Sequence, residues 1–172
     1  MVSFVISVLG DDRAGLVEAL SGVIAEHGGN WERSHMTQLA GKFAGVVLVT
    51  MPADRSDGFA AALEVLEHRG LLHLSVERGL DSARTGTPIE IRVTGNDHPG
   101  IVYELSQLLA RNGVNIDDLE TRTSPAPMAG GSIFEAVARL TLPPTVLSDA
   151  LVEAVENLAA DLMVDIEFPE DA

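Results

Sequence analysis

The sequence predicts an α+β protein made of two tandem copies of one βαββαβ unit. Each copy is read as an antiparallel four-stranded sheet with two helices on one face. Two observations predict this. The chain repeats itself, and each copy shows the same order of hydrophobic periodicities. The repeat is direct: Val8 to Asn30 reads VLGDDRAGLVEALSGVIAEHGGN, and the segment 85 residues later, Val93 to Asn115, reads VTGNDHPGIVYELSQLLARNGVN. Ten of these 23 pairs are identical, where about one or two would match by chance. The match resumes at an offset of 91, pairing Phe43 with Phe134, Thr50 with Thr141 and Pro52 with Pro143. The second copy thus carries six extra residues, placed within Ser124 to Gly131. Two copies of this size are two small domains, since a solenoid needs at least three repeats.

The elements follow in order. Phe4, Ile6 and Val8 alternate with Val5 and Ser7, the period of a half-buried strand. A helix follows with Leu16, Leu20, Val23, Ile24 and His27 on one face, and its counterpart carries Ile101, Leu105, Leu108, Leu109 and Asn112. Gly28 and Gly113 stand where a helix C-terminal glycine is expected. Two strands come next, near 30–39 and 43–51, then near 114–123 and 132–142. The second helix runs near 57–69, with Phe59, Leu63 and Leu66 inward. Its counterpart runs near 145–160, with Leu147, Leu151, Val155 and Leu158 inward. Strands 72–78 and 162–168 close the copies. The domains are expected at 1–79 and 88–172, with 80–87 as linker inside the segment Gly79–Pro88. This order is the ferredoxin-like arrangement. It puts the polar second strand of each copy at a sheet edge, where polarity resists aggregation and leaves backbone groups for a chosen partner edge.

Composition narrows the function. The chain has 172 residues, 46% of them hydrophobic, enough for a core. Its 11 basic and 26 acidic residues sum to −15, with a single lysine, Lys42. Nucleic-acid binding proteins offer a basic face that releases counterions; direct binding to nucleic acid is not expected here. No apolar run approaches the roughly 20 residues of a membrane span, and Met1 to Gly10 lacks the basic region of a signal peptide. No membrane association and a cytoplasmic setting are expected. Without cysteine there is no disulfide or thiolate metal site. The five histidines show no ligand spacing, so no metal is expected. The adjacent acidic pairs Asp11–Asp12 and Asp117–Asp118 read as solvated faces. No nucleophile motif, phosphate-binding loop or dinucleotide fingerprint occurs. The chain is read as a non-enzyme with no catalytic residues and no cofactor.

The repeated loop between first strand and first helix is the candidate site. It reads Gly10-Asp11-Asp12-Arg13-Ala14-Gly15 and Gly95-Asn96-Asp97-His98-Pro99-Gly100. Asp12 and Asp97 are expected as helix N-caps, and Pro99 suits a first turn. Capping does not account for Gly15 and Gly100, because glycine inside a helix costs about 1 kcal/mol against alanine. Close approach of a ligand or a backbone would account for them, with free helix-start amides receiving a carboxylate. Capping alone and capping with ligand contact both remain open.

The D-x-x-G opening a helix, the G-x-N thirteen residues beyond that glycine, and the tandem βαββαβ copies resemble ACT domains, small regulatory modules that bind amino acids. Two such modules together resemble the glycine cleavage system transcriptional repressor family. The resemblance implies an amino-acid-sensing regulator, controlling transcription of amino-acid (glycine) metabolism indirectly through a protein partner. In serine-sensing modules the ligand sits between paired domains. There it contacts the residue three before the loop glycine and an asparagine opening the second strand. These positions fall on Asp12 and Asn30, and on Asp97 and Asn115. Asp11, Ala14, Gly15, Asn96, Pro99 and Gly100 complete the candidate set. The chain departs from the serine-sensing pattern twice. It has aspartate for the loop asparagine, and Gly10 or Gly95 for a histidine two residues earlier. The resemblance implies glycine or serine as ligand, a homo-oligomer and a protein partner. The rival readings are a ligand-free interaction module and an accessory subunit of a biosynthetic enzyme.

Overall fold

A computed structural model describes residues 1–79, 85–126, 130–146 and 148–169. The chain divides into two compact units, Met1–Ser82 and Ala83–Ala172. The first contains β1 (Val2–Asp11), α1 (Leu16–Glu26), β2 (Asn30–Leu39), β3 (Lys42–Met51), α2 (Ser56–His68) and β4 (His73–Arg78), with one 3-10 turn, Ala53–Arg55, before α2. The second contains β5 (Thr87–Asn96), α3 (Ile101–Arg111), β6 (Asn115–Pro125), β7 (Ser132–Leu142), α4 (Ser148–Leu162) and β8 (Val164–Glu167). The sheets run β2-β3-β1-β4 and β6-β7-β5-β8, with every pairing antiparallel. Both units are therefore ferredoxin-like, and β2 and β6 lie at edges as expected.

The alternation in β1 places Phe4, Ile6 and Val8 in the first core. They meet Leu16, Leu20 and Ile24 of α1, spaced four apart, and Phe59, Leu63 and Leu66 of α2. The second core repeats this with Ile91 and Val93, then Ile101, Leu105 and Leu109, then Leu151 and Val155. Leu158 is only partly buried, while Ala159 and Leu162 complete the buried face of α4. Each first helix ends in a Schellman motif. Gly28 (φ 66°) and Gly113 (φ 68°) take the left-handed position, and the amides of Gly29 and Val114 each donate to a carbonyl three residues inside the end of their helix, Ile24 O and Leu109 O (both 2.9 Å).

Three differences from the sequence reading are local. The helix expected from 145 begins at Ser148, after a turn behind Pro143. Thr87 and Pro88, read as linker, open β5; proline is tolerated at a strand start. Residues 80–84 of the linker, 127–129 of the longer loop and Leu147 lie outside the described residues.

Candidate functional site

Asp12 and Asp97 do not cap the helices. The caps are Gly15 (φ 93°) and Gly100 (φ 110°), and neither α1 nor α3 has a side-chain cap. The glycines are required by this positive φ, which L side chains rarely adopt. Close approach does not explain them, because a Cβ on Gly15 would meet nothing nearer than a Glu18 carboxylate oxygen at 4.0 Å. The amides of the first helical turn are left without a side-chain acceptor.

Each loop is instead held by its backbone. The Asp12 amide donates to Gly41 O at 2.9 Å, and the Asp97 amide donates to Ser132 O at 2.8 Å. Gly41 belongs to the tight β2–β3 turn, where Ala40 (φ 50°) and Gly41 (φ 78°) both have positive φ, the mark of a type I′ hairpin. Beside this turn Asp11 pairs with Lys42, whose ammonium holds the Asp11 carboxyl below its ordinary range. Asp11 is thus already engaged, while Ala14 and Pro99 are exposed in the loops and Asn96 is exposed at the end of β5.

Close approach operates at the preceding position. A Cβ on Gly10 would stand 2.7 Å from Leu71 O, and one on Gly95 would stand 2.9 Å from the Val164 Cα. The chain entering the last strand presses onto the end of the first. This packing excludes a side chain where the serine-sensing pattern has histidine.

A second tether was not anticipated. Arg13 donates from Nη2 to Gly70 O at 3.1 Å, just beyond α2. In the second unit His98 faces two carbonyls, Leu162 O at 3.0 Å from Nε2 and Pro99 O at 3.2 Å from Nδ1. A neutral ring has one N–H for these two acceptors and a protonated ring has two. The carbonyls, with Glu104 and Asp97 nearby, hold the His98 pKa above its ordinary value. The sequence held the signal: Arg13 and His98 align in the repeat, so both copies put a nitrogen donor there.

Asn30 and Asn115 belong to a different constellation. Asn30 donates to Glu32 Oε1 at 2.8 Å, and the Thr50 hydroxyl donates to the same oxygen at 2.7 Å. These two bonds lower the Glu32 pKa. In the second copy Asn115 donates to Asp117 at 2.6 Å, and Thr141 donates to the other Asp117 oxygen. Both carboxylates sit at register shifts, between Trp31 and Arg33 and between Ile116 and Asp118. The extra residue of a β-bulge turns each carboxylate towards its neighbours. Asp117 and Asp118 are thus bonded rather than simply solvated, since Asp118 accepts from Arg139 at 3.0 Å.

The structure does not bring the loop and the asparagine together within one unit. Asn30 pairs with Thr50, and Thr50 pairs with Ser3, at the opening end of β1. From Ser3 to Asp12 the chain advances about 30 Å at about 3.4 Å per residue. Asn115 and Asp97 are separated in the same way, since Asn115 pairs with Thr141 and Thr141 with Pro88.

In the second unit an apolar cleft opens between α3 and the β6–β7 strands, starting beside Gly100. Ile101, Leu105, Ile116, Leu119, Phe134 and Ala136 are among its lining residues. At the position of Ile116 the first unit has Trp31, half-buried against its core. Among the described residues no group of three or more His, Asp or Glu is gathered as a metal site. No helix among them is long and apolar enough to cross a membrane.

No curated protein sequence matches the chain. The crystal structure of an unknown protein from Galdieria sulphuraria is 34% identical, covers 99% of both chains and superposes with a TM-score of 0.87. A structure provisionally assigned as a glycine cleavage system transcriptional repressor is 18% identical, covers 98% of this chain and 96% of its own, and has a TM-score of 0.72. At that identity the second likeness is one of fold. Residues 3–77 match the ACT domain, and residues 89–150 match it again. With these matches, two βαββαβ units and the repeated D-x-x-G loops, the chain belongs to the ACT-domain family and carries two ACT domains in tandem.

Proposed function

We propose that this chain is an amino-acid-sensing regulatory protein whose ligand binds at the β1–α1 and β5–α3 loops. The observation that carries the reading is the repeated loop. In both copies a left-handed glycine opens the helix with no side-chain cap, and the aspartate three residues earlier is held by its backbone amide, with no side-chain hydrogen bond among the described residues. The amides of the first turn and the Asp12 or Asp97 carboxylate can then serve the carboxylate and ammonium ends of an amino acid such as glycine or serine. ACT family membership supports the same chemistry.

The separation of Asp12 from Asn30 supports a site completed by a second module. The end of β2 lies beside the Asp12 loop, through the Gly41 bond, and its start carries Asn30. Two β2 edges paired antiparallel would set Asn30 of one module beside the loop of the other. Ligand and assembly are then linked, because a ligand shifts an equilibrium by its differential affinity for the two states. The output we assign is indirect control of amino-acid (glycine) metabolism genes through a protein partner, since a net charge of −15 opposes DNA contact. Asp11, already paired with Lys42, serves as loop support rather than ligand contact.

The test is thermal shift against the twenty amino acids, followed by calorimetric titration of Asp12→Ala, Asp97→Ala, Asn30→Ala and Asn115→Ala. Losing one bond to a charged ligand group costs about 1.5–3 kcal/mol, a loss of about tenfold to hundredfold in affinity. Loss of ligand-induced stabilisation in these variants supports the reading. If no amino acid shifts the wild type at millimolar concentration, the ligand-free interaction module takes its place. The exposed apolar sheet face of the first unit is the observation that favours that second reading.

A further inference from the structure

The two units share a fold but not a surface. In each, the helices cover one face of the sheet and leave the other open. The open face of the second unit is charged and internally paired. Arg139 on β7 lies 3.6 Å from Glu90 on β5 and 3.0 Å from Asp118 on β6. Arg122 holds Glu135 through two bonds, at 2.8 and 3.0 Å. At the repeat-equivalent positions on the two central strands the first unit is apolar, with Val5 for Glu90, Leu48 for Arg139 and Ala44 for Glu135, while the edge positions Asp118 and Arg122 correspond to Arg33 and Thr37. Val5, Leu9 and Val46 are 38%, 48% and 48% exposed, and they form the centre of this face with Leu48, Ala44 and one polar residue, Ser7, opposite Val46.

The polar ends of the face identify its occupant. Register sets Arg33, Leu48, Val5 and Glu77 in one row across β2, β3, β1 and β4. A cation ends the row at one edge of the sheet and an anion at the other. Among the described residues, Asp11 pairs with Lys42 and His73 with Glu67, and neither pair involves Arg33 or Glu77. A two-fold axis parallel to the strands lays this row on its own reverse. Arg33 of each copy then meets Glu77 of the other, and Val5 meets Leu48. Such self-complementarity is what an isologous contact requires. Sheets stacked in this way pack about 10 Å apart with strands aligned within about 30°.

We propose that the open sheet face of the first unit is a docking surface for a second copy of this chain, centred on Val5 and Leu48 and closed by two Arg33–Glu77 pairs. The contact is independent of the β2 edge and of any amino acid. It buries side chains face to face, where the edge would pair backbone to backbone.

Analytical ultracentrifugation of the whole chain, run without ligand across a concentration series into the high micromolar range, tests this. Val5→Glu combined with Leu48→Arg copies the Glu90–Arg139 pair that the second unit carries at the same positions. It is expected to halve the assembly mass while the melting transition is kept. Arg33→Glu alone brings two anions together at each end and weakens association by at least about tenfold. Adding Glu77→Arg to it restores association. A wild type that stays monomeric throughout, a Val5→Glu/Leu48→Arg variant of unchanged mass, or a charge swap no tighter than Arg33→Glu overturns the proposal. Failure here leaves the amino-acid response of the wild type intact, so the two readings fail separately.

Discussion

Arg13 and His98 occupy equivalent positions in the two units and tie their loops to the C-terminal end of the second helix, Arg13 to a carbonyl just beyond α2 and His98 to the last carbonyl of α4. Arg13 reaches Gly70 O at 3.1 Å, and His98 reaches Leu162 O at 3.0 Å. Cations are favoured at a helix C-terminus. The first unit uses a side chain that is always charged, and the second uses one that titrates near neutrality.

The second loop is therefore expected to be pH-sensitive and the first is not. His98 has a raised pKa in the folded state, so its contribution is fully present below the ordinary histidine value of 6.5 and is lost as pH rises through the raised value. Unfolding measured from pH about 6 to about 9 should show wild type losing stability relative to His98→Arg as pH rises. Amide exchange at Gly100 and Ile101 should quicken over the same range. Parallel curves for the two proteins would show that the tether does not act through charge.

Gly15→Ala and Gly100→Ala should each destabilise by about 1–2 kcal/mol, the cost of positive φ for an L residue. Nothing crowds a Cβ at Gly15, so backbone strain is the whole effect. Urea denaturation measures it. A neutral outcome would mean the helix start can rearrange.

Asp12→Ala and Asp97→Ala should change the stability of the ligand-free protein by less than about 0.5 kcal/mol. An aspartate that capped its helix would cost about 1 kcal/mol on truncation. Here the backbone amides hold the loops, and alanine keeps both amide bonds. The same denaturation experiment distinguishes the two outcomes.

Thr50→Val should raise the Glu32 pKa towards its ordinary value, because the Thr50 hydroxyl is the strongest influence lowering it. Asn30→Ala should act in the same direction. A lowered carboxylate pKa stabilises the fold above its unfolded value and ceases to do so as pH falls. Both variants should therefore lose less stability on acidification than wild type. Side-chain NMR titration of Glu32 reads the pKa directly.

Most of the fold was legible because its determinants are local and repeated. The 3.6-residue period along Leu16, Leu20 and Ile24 and the two-residue period along Phe4, Ile6 and Val8 each name their element. Gly28 and Gly113 mark helix ends because left-handed caps favour glycine. The site was less legible. An aspartate three residues before a glycine looks like a cap in sequence, and only the φ of Gly15 shows that the helix starts later. The resemblance to serine-sensing modules also placed Asp12 and Asn30 in one set. The helix between them carries the chain back across the sheet, so they finish at opposite ends of it. Neither bulge left a trace, since an extra strand residue does not interrupt an already polar edge.

The crowding at Gly10 constrains how this protein can change over evolutionary time. Leu71 O would lie 2.7 Å from any Cβ there, and Val164 closes Gly95 in the same way. A histidine at either position is therefore barred as a first step. It becomes accessible only after substitutions that let the final strand retreat. The order of mutations matters, and lineages that keep this packing can vary the loop at exposed Ala14 and Pro99, whose side chains have room to change.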